Sequence, residues 1–253
     1  MPSSERYNIP ILSQLVPDGI KPGTIFVVEF DPDSQWLSVA TTIVARNLQE
    51  DGNSSYLALA RPIEDVRIAL SSLGVDVLSA IKAGRLAIDD WYTASLTGGR
   101  IDTEPGRVSW FEPIESGDRV RSLKIADLSV EFLRWTKEEA EPKPGALVLV
   151  DSCSTYLRFN EEKPFVEWME SRVNPNQRRN KFITMQGFAR GVHSEWLYKR
   201  LEAASDGVVD IRVIEKEGRA KDFLRVRSLK GQPRDSSWHE IEVKPNGEAV
   251  LSS

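Results

Sequence analysis

The chain has 253 residues, 40% of them hydrophobic and 28% charged, which suits an ordinary globule and excludes collagen-like, low-complexity and wholly disordered chains. Its 33 Lys and Arg stand against 38 Asp and Glu, a net charge of −5 that argues against a general nucleic-acid coat, since backbone binding relies on clustered positive charge. One cysteine, Cys153, and two histidines, His193 and His239, exclude an internal disulfide and a cysteine-built zinc site and make a histidine-rich metal site a poor prospect.

The amino-terminal stretch MPSSERYNIPILSQL lacks the basic and apolar regions of a signal peptide, and no window approaches the roughly 18 apolar residues of a membrane span. These features predict a cytoplasmic protein without a membrane partner. Neither an internal repeat nor a linker interrupts the chain, so one domain over 1–253 is expected.

The first strand signal is Thr24 to Phe30 (TIFVVEF), a compact apolar run behind the Pro22-Gly23 turn. After Asp31-Pro32-Asp33, apolar residues at Trp36, Val39, Ala40, Ile43, Val44 and Leu48 have helical spacing, with Asp33 or Ser34 as the expected cap. Ser55 to Ala60 reads as a buried strand. Pro62 then opens a helix at its favoured first position, and Gly74 ends it. A short strand follows at Arg85 to Asp89. From about 93 to 122 periodicity fails among Gly98-Gly99, Pro105-Gly106, Pro113 and Gly117, the pattern of an irregular insertion, functional or disordered.

Helical spacing returns over Ile125 to Trp135, and Ala146 to Val150 (ALVLV) is the clearest buried strand, with Asp151 at its carboxyl end. Phe165, Trp168, Met169 and Val173 predict a helix, Lys181 to Met185 a strand and Trp196 to Ala204 a further helix. A β meander of three short strands closes the chain between about 207 and 251: Gly207 to Ile214, Asp222 to Arg227 and Trp238 to Val243. The fold class is therefore α/β: a mostly parallel sheet flanked by helices, with a carboxyl-terminal antiparallel extension.

In such a sheet, ligands sit at the carboxyl ends of the strands, which singles out the turn after Phe30 and the acid Asp151. A phosphate-binding loop would occupy the first and its magnesium partner the second. At these positions, and over nearly its whole length, the chain resembles the KaiC-like branch of the RecA-superfamily ATPases. Ile9 to Gly23 (IPILSQLVPDGIKPG) is similar to that family's opening IPGLDELLGGGIPRG. Tyr56 to Pro62 falls at its YVSLEEP and Val148 to Ser152 at its VVIDS. Asp206 to Val209, with Leu224 to Gly231, is similar to its closing DGVI and LRVxKMRG.

The resemblance implies a RecA-like fold, but the chemistry departs from the family. Where the family carries GPPGTGKT, this chain has FDPDSQWL, Phe30 to Leu37. No glycine remains to build a nest of backbone N–H groups around phosphate. Trp36 stands at the lysine position and Leu37 at the magnesium-binding hydroxyl. Asp31 and Asp33 would face a triphosphate, each like-charge pair costing about 1–3 kcal/mol at about 6 Å near a surface. The paired glutamates, one of which would activate water, are replaced by Ala60 and Arg61.

A P-loop NTPase fold without a working P-loop is the expectation, with no catalytic residue, metal or cofactor. The vestigial nucleotide site would comprise Asp31, Asp33, Ser34, Trp36, Leu37 and Asp151. Trp36 would fill the old phosphate site or stack on a base; Asp151 would be a relict magnesium ligand or a plain strand-end polar residue. Cys153 would be a structural thiol, or a nucleophile if a histidine approaches it in space. His193 would enter a helix or act catalytically.

The resemblance further implies protein partners: ring- or filament-type self-association, or an active paralogue. Single-domain members of the family are commonest in archaea, so it implies a regulatory or signalling role there. Arg225, Arg227 and Lys230 align near basic residues that reach a neighbouring subunit's nucleotide in the family; without a nucleotide they would pair with Glu215, Glu217 or Asp222. Seven tryptophans, among them Trp91 and Trp110 beside the irregular segment, would suit an interface or a core. Two alternatives remain: weak ATP binding with magnesium through Asp151, and a DNA-associated role like that of RadA. In the second, Arg172, Arg178, Arg179 and Lys181 would contact phosphate or else form a solvated helix end.

Overall fold

A computed structural model describes residues 6–96, 100–102, 120–125, 145–216 and 218–252. Its centre is strand β1, Ile25–Phe30, whose six residues are all buried. An unbroken apolar run of this kind belongs to a parallel strand covered on both faces. Helix α1 (Trp36–Gln49) leads from β1 to β2 (Ser54–Ala58), and α2 (Ile63–Ser72) and α3 (Val77–Lys82) lead on to β3 (Leu86–Asp90). Helix α4 (Tyr92–Leu96) and a small antiparallel pair, β4 (Arg100–Asp102) with β5 (Val120–Ser122), occupy the described parts of the irregular insertion. Trp110 and the helix expected beyond Ile125 lie outside the described residues.

Strand β6 (Leu147–Val150) re-enters the sheet. A 3₁₀ turn at Cys153–Arg158 and helix α5 (Glu162–Trp168) follow; a π turn over Met169–Val173 joins α5 to α6 (Asn174–Arg179). Strand β7 (Ile183–Ala189), helix α7 (Glu195–Ala204) and the strands β8 (Gly207–Lys216), β9 (Arg219–Leu229), β10 (His239–Val243) and β11 (Ala249–Ser252) complete the described chain.

These strands form one nine-stranded sheet in the order β11-β10-β9-β8-β1-β7-β6-β2-β3. Every pairing from β8 to β3 is parallel, and β8 to β11 pair antiparallel. The expected α/β architecture is therefore the observed one. The carboxyl-terminal extension has one strand more than expected, since Ala249–Ser252 pairs with β10. Helix α3 was likewise not legible as periodicity: it has only six residues, fixed by Asp76, whose carboxylate accepts the Ser79 N–H.

Alternation along β1 sorts the core into two layers. Phe26, Val28 and Phe30 join α1 and the amino-terminal Ile9, Leu12 and Leu15 on one face. Val27 joins Phe165, Met169, Leu197 and Leu201 on the other. Gly145 seals the first layer at the start of β6. A Cβ there would lie 2.2 Å from the Tyr7 ring, and its φ of 78° suits glycine. The parallel strands end at one common edge, where β1, β7 and β6 bring their following turns together.

Candidate functional site: the turn after the first strand

The turn after β1 is held by the chain's own groups. Asp31 continues the ladder by donating its N–H to the Ile211 carbonyl at 3.0 Å. Its carboxylate accepts the Val213 N–H at 3.0 Å and pairs with Arg190 at 2.9 Å. It is turned toward β8 and the β7 end. Asp33 is exposed, and Ser34 donates its N–H to the Asp31 carbonyl at 2.9 Å. Residues 31–35 all have negative φ, so the alternation of hand that curls amides around an anion is missing.

The cap of helix α1 falls one residue beyond Ser34 and two beyond Asp33, the expected caps. Gln35 occupies the cap position and its side chain makes no capping bond. Its N–H is instead accepted by the Asp222 carboxylate of β9 at 2.8 Å. A helix amino terminus favours an anion, and here a side-chain carboxylate supplies it. Burial lifts the Asp222 carboxyl above its ordinary range, with Asp33 and Asp31 adding to the shift and the Gln35 N–H opposing it.

Trp36 is 1% exposed. Its ring stacks on Phe30 with centroids 5.8 Å apart, and its Nε1–H donates to the Asp151 carbonyl at 2.6 Å. Gly187 of β7 makes room for this contact. A Cβ there would lie 2.5 Å from the Asp151 carbonyl oxygen and 2.8 Å from Trp36 Nε1. Leu37 is half-buried and packs against the same core layer.

Asp151 is fully buried, and its carboxylate is spoken for on both oxygens. Oδ1 accepts the N–H groups of Leu59 at 2.7 Å and Ala60 at 3.0 Å, and Oδ2 accepts the Tyr56 hydroxyl at 3.3 Å. Arg61 donates to the same hydroxyl at 3.1 Å and lies over the Tyr56 ring. Burial pushes the Asp151 carboxyl up to about 6, against the pull of the two amides and Arg61. Ala60 directly, and Arg61 through the Tyr56 hydroxyl, thus hold Asp151 in place.

A second charged group lies behind this turn, on the α7 face of β1. Glu29 and Asp210 face each other across β1 and β8, and Asp210 faces Arg225 across β8 and β9. Arg225 pairs with Asp210 at 2.8 Å and stacks on Trp238; Arg227 reaches Glu29 at 2.6 Å and Glu202 at 2.9 Å. Lys230 donates to the Ala203 and Ser205 carbonyls at the end of α7. Among the described residues these three meet Asp210, Glu29, Glu202 and the α7 carbonyls in place of the expected Glu215 and Asp222; Glu217 lies outside the described residues. Burial, reinforced by the neighbouring Glu202, raises the Glu29 carboxyl to about 7 despite Arg227.

In the basic stretch, Arg178 bonds Asp206 and the Ala204 carbonyl, Arg179 bonds Asn176, and Arg172 and Lys181 are exposed. Trp91 and Cys153 are core residues, and burial holds the Cys153 thiol far above its ordinary range. His193 does approach this turn, but it meets Ser154. Sequence reasoning also missed Asp222, which lies 187 residues from the amide it caps, a distance no local signal spans.

Neither the protein-family models nor the curated proteins contain a match to this chain. Solved structures do. A KaiC-like protein from the hyperthermophilic archaeon Pyrococcus horikoshii superposes with a TM-score of 0.71 over 99% of this chain and 100% of its own, at 17% identity. The chain has a KaiC-like, RecA-type fold. Among the described residues, no helix is long and apolar enough to cross a membrane, and no group of three or more His, Cys, Asp or Glu side chains could hold a metal ion.

Proposed function

We propose that this KaiC-like chain is a pseudo-ATPase, a regulatory module that works through protein contacts without hydrolysing nucleotide. One observation carries the proposal: the amino terminus of α1, where the fold would seat phosphate, is closed by Trp36 from within the helix and by the Asp222 carboxylate from β9. A triphosphate would have to displace a buried indole and a carboxylate, and would then meet Asp31 and Asp33 without a lysine. Asp151, with both oxygens engaged, is poorly placed as a magnesium ligand.

The partner would be another protein: a second copy in a ring or filament, or an active paralogue. Arg225, Arg227 and Lys230 have internal partners, so a subunit contact through them would first have to break those pairs. Thermal unfolding with and without MgATP at about 5 mM tests the proposal. The expected melting temperature is unchanged, whereas a ligand at 100 times its dissociation constant adds about 2.7 kcal/mol, about 5–10 °C for a chain of this size. A rise of that order would favour a weak ATP-binding protein instead. Salt-dependent capture of single-stranded DNA would favour the DNA-associated reading.

A further inference from the structure

The turns after β6 and β7 bring a hydroxyl and an imidazole together beside the closed turn. Ser154 Oγ lies 2.8 Å from His193 Nε2, across 39 residues of chain. The same oxygen accepts the Ala189 N–H at 3.0 Å, which fixes it at the end of β7. Tyr198 holds the neighbouring carbonyl of Ala189 at 2.5 Å, and its ring lies 6.0 Å from the imidazole. Glu162, at the start of α5, accepts the Ser194 N–H at 2.8 Å and the Ser194 hydroxyl, pinning the backbone immediately after His193. Ser154 and His193 are both half-buried, within reach of solvent, and Val192 and Trp196 beside them are 57% and 45% exposed.

We propose that Ser154 and His193 form a nucleophile and base pair that accepts acyl groups from activated esters. The geometry meets the basic requirement: nucleophile and base within hydrogen-bond reach, on two separate turns fixed by their own bonds. With the imidazole neutral and its proton on Nδ1, the Ser154 hydroxyl donates to Nε2. Partial burial holds the imidazole below its ordinary range despite the nearby Glu162, which keeps it a proton acceptor near neutrality.

In the reaction, the Ser154 proton passes to His193 Nε2 as Oγ bonds to the acyl carbon. The bond to the leaving oxygen or sulfur breaks, and that atom departs with the proton from His193. Water, activated by the same imidazole, then cleaves the acyl-serine and returns the hydroxyl. An aryl ester or thioester is the favoured class, because such leaving groups need little help from oxyanion donors. The exposed Val192 and Trp196 suit an apolar acyl chain.

A fluorophosphonate probe followed by peptide mass mapping tests this directly. In that case Oγ bonds to phosphorus, fluoride leaves and the proton stays on His193. The folded protein is expected to carry one adduct, on Ser154, and protein denatured in urea none. Ser154→Ala removes the adduct, and His193→Gln slows it by about 100-fold or more. Incubation with p-nitrophenyl acetate is expected to place an acetyl group on the same residue. No adduct on Ser154 of the folded wild-type protein, or one that forms equally fast after denaturation or in His193→Gln, would overturn the proposal.

Discussion

Two neighbouring corners of the sheet's carboxyl edge have been treated in opposite ways. After β1, three groups at the turn are taken up by partners within the chain, Asp222 by the Gln35 amide, Asp31 by Arg190 and Val213, and Trp36 by Phe30 and Asp151, while Asp33 stays exposed. After β6 and β7, a serine and a histidine face each other with solvent within reach. The contrast teaches that one sheet edge can hold a turn filled by internal contacts beside a turn that keeps polar groups within reach of solvent.

The closed corner predicts that its filler is structural. Trp36→Ala should lose about 3–5 kcal/mol in urea unfolding, the loss typical of emptying a large buried aromatic site. A loss below about 1 kcal/mol would mean that the indole is not packed as described. The variant should gain no measurable ATP affinity, since the lysine and the amide nest would still be missing.

The charged group behind that corner predicts a pH effect of the next size. The Glu29 carboxyl is raised from 4.5 to about 7, so the folded state keeps its proton longer than the unfolded chain. Its stabilising contribution is therefore complete below about 4.5 and disappears as the pH rises through about 7. Relative to Glu29→Gln, the wild type should become less stable by about 2–3 kcal/mol between those limits. Parallel stability curves for the two proteins would remove Glu29 as the titrating group.

Gly187 sharpens the same boundary from below. Gly187→Ala puts a methyl into the Trp36–Asp151 contact and should cost about 1–3 kcal/mol, as overpacking does. The smallest effect is expected at Asp222→Ala, about 1 kcal/mol for a lost helix cap, readable as a shift in urea midpoint with unchanged slope. A neutral Asp222→Ala would show that the carboxylate does not close the helix end.

The parts of this architecture legible in the sequence are those written locally. The apolar runs of β1 and β6 and the stripe of α1 each stand within one short window, and that Phe30 to Leu37 holds neither glycine nor lysine can be read without coordinates. The unread parts depend on distant contacts or on segments too short to show a period. Ala249–Ser252 has four residues, anchored by the Ala249 N–H on the Thr42 hydroxyl, 207 residues away. Local sequence offers Asp33 or Ser34 as the α1 cap, whereas the sheet delivers Asp222. A lone cysteine reads locally as a candidate nucleophile, yet the 3₁₀ turn buries Cys153 and presents the next residue, Ser154, to His193.

The most direct test of the central claim is phosphate release from MgATP by the purified chain, measured beside Asp151→Ala. Release at the background rate from both proteins is the predicted result. Turnover above background by the unmodified chain, abolished by Asp151→Ala, would contradict the account.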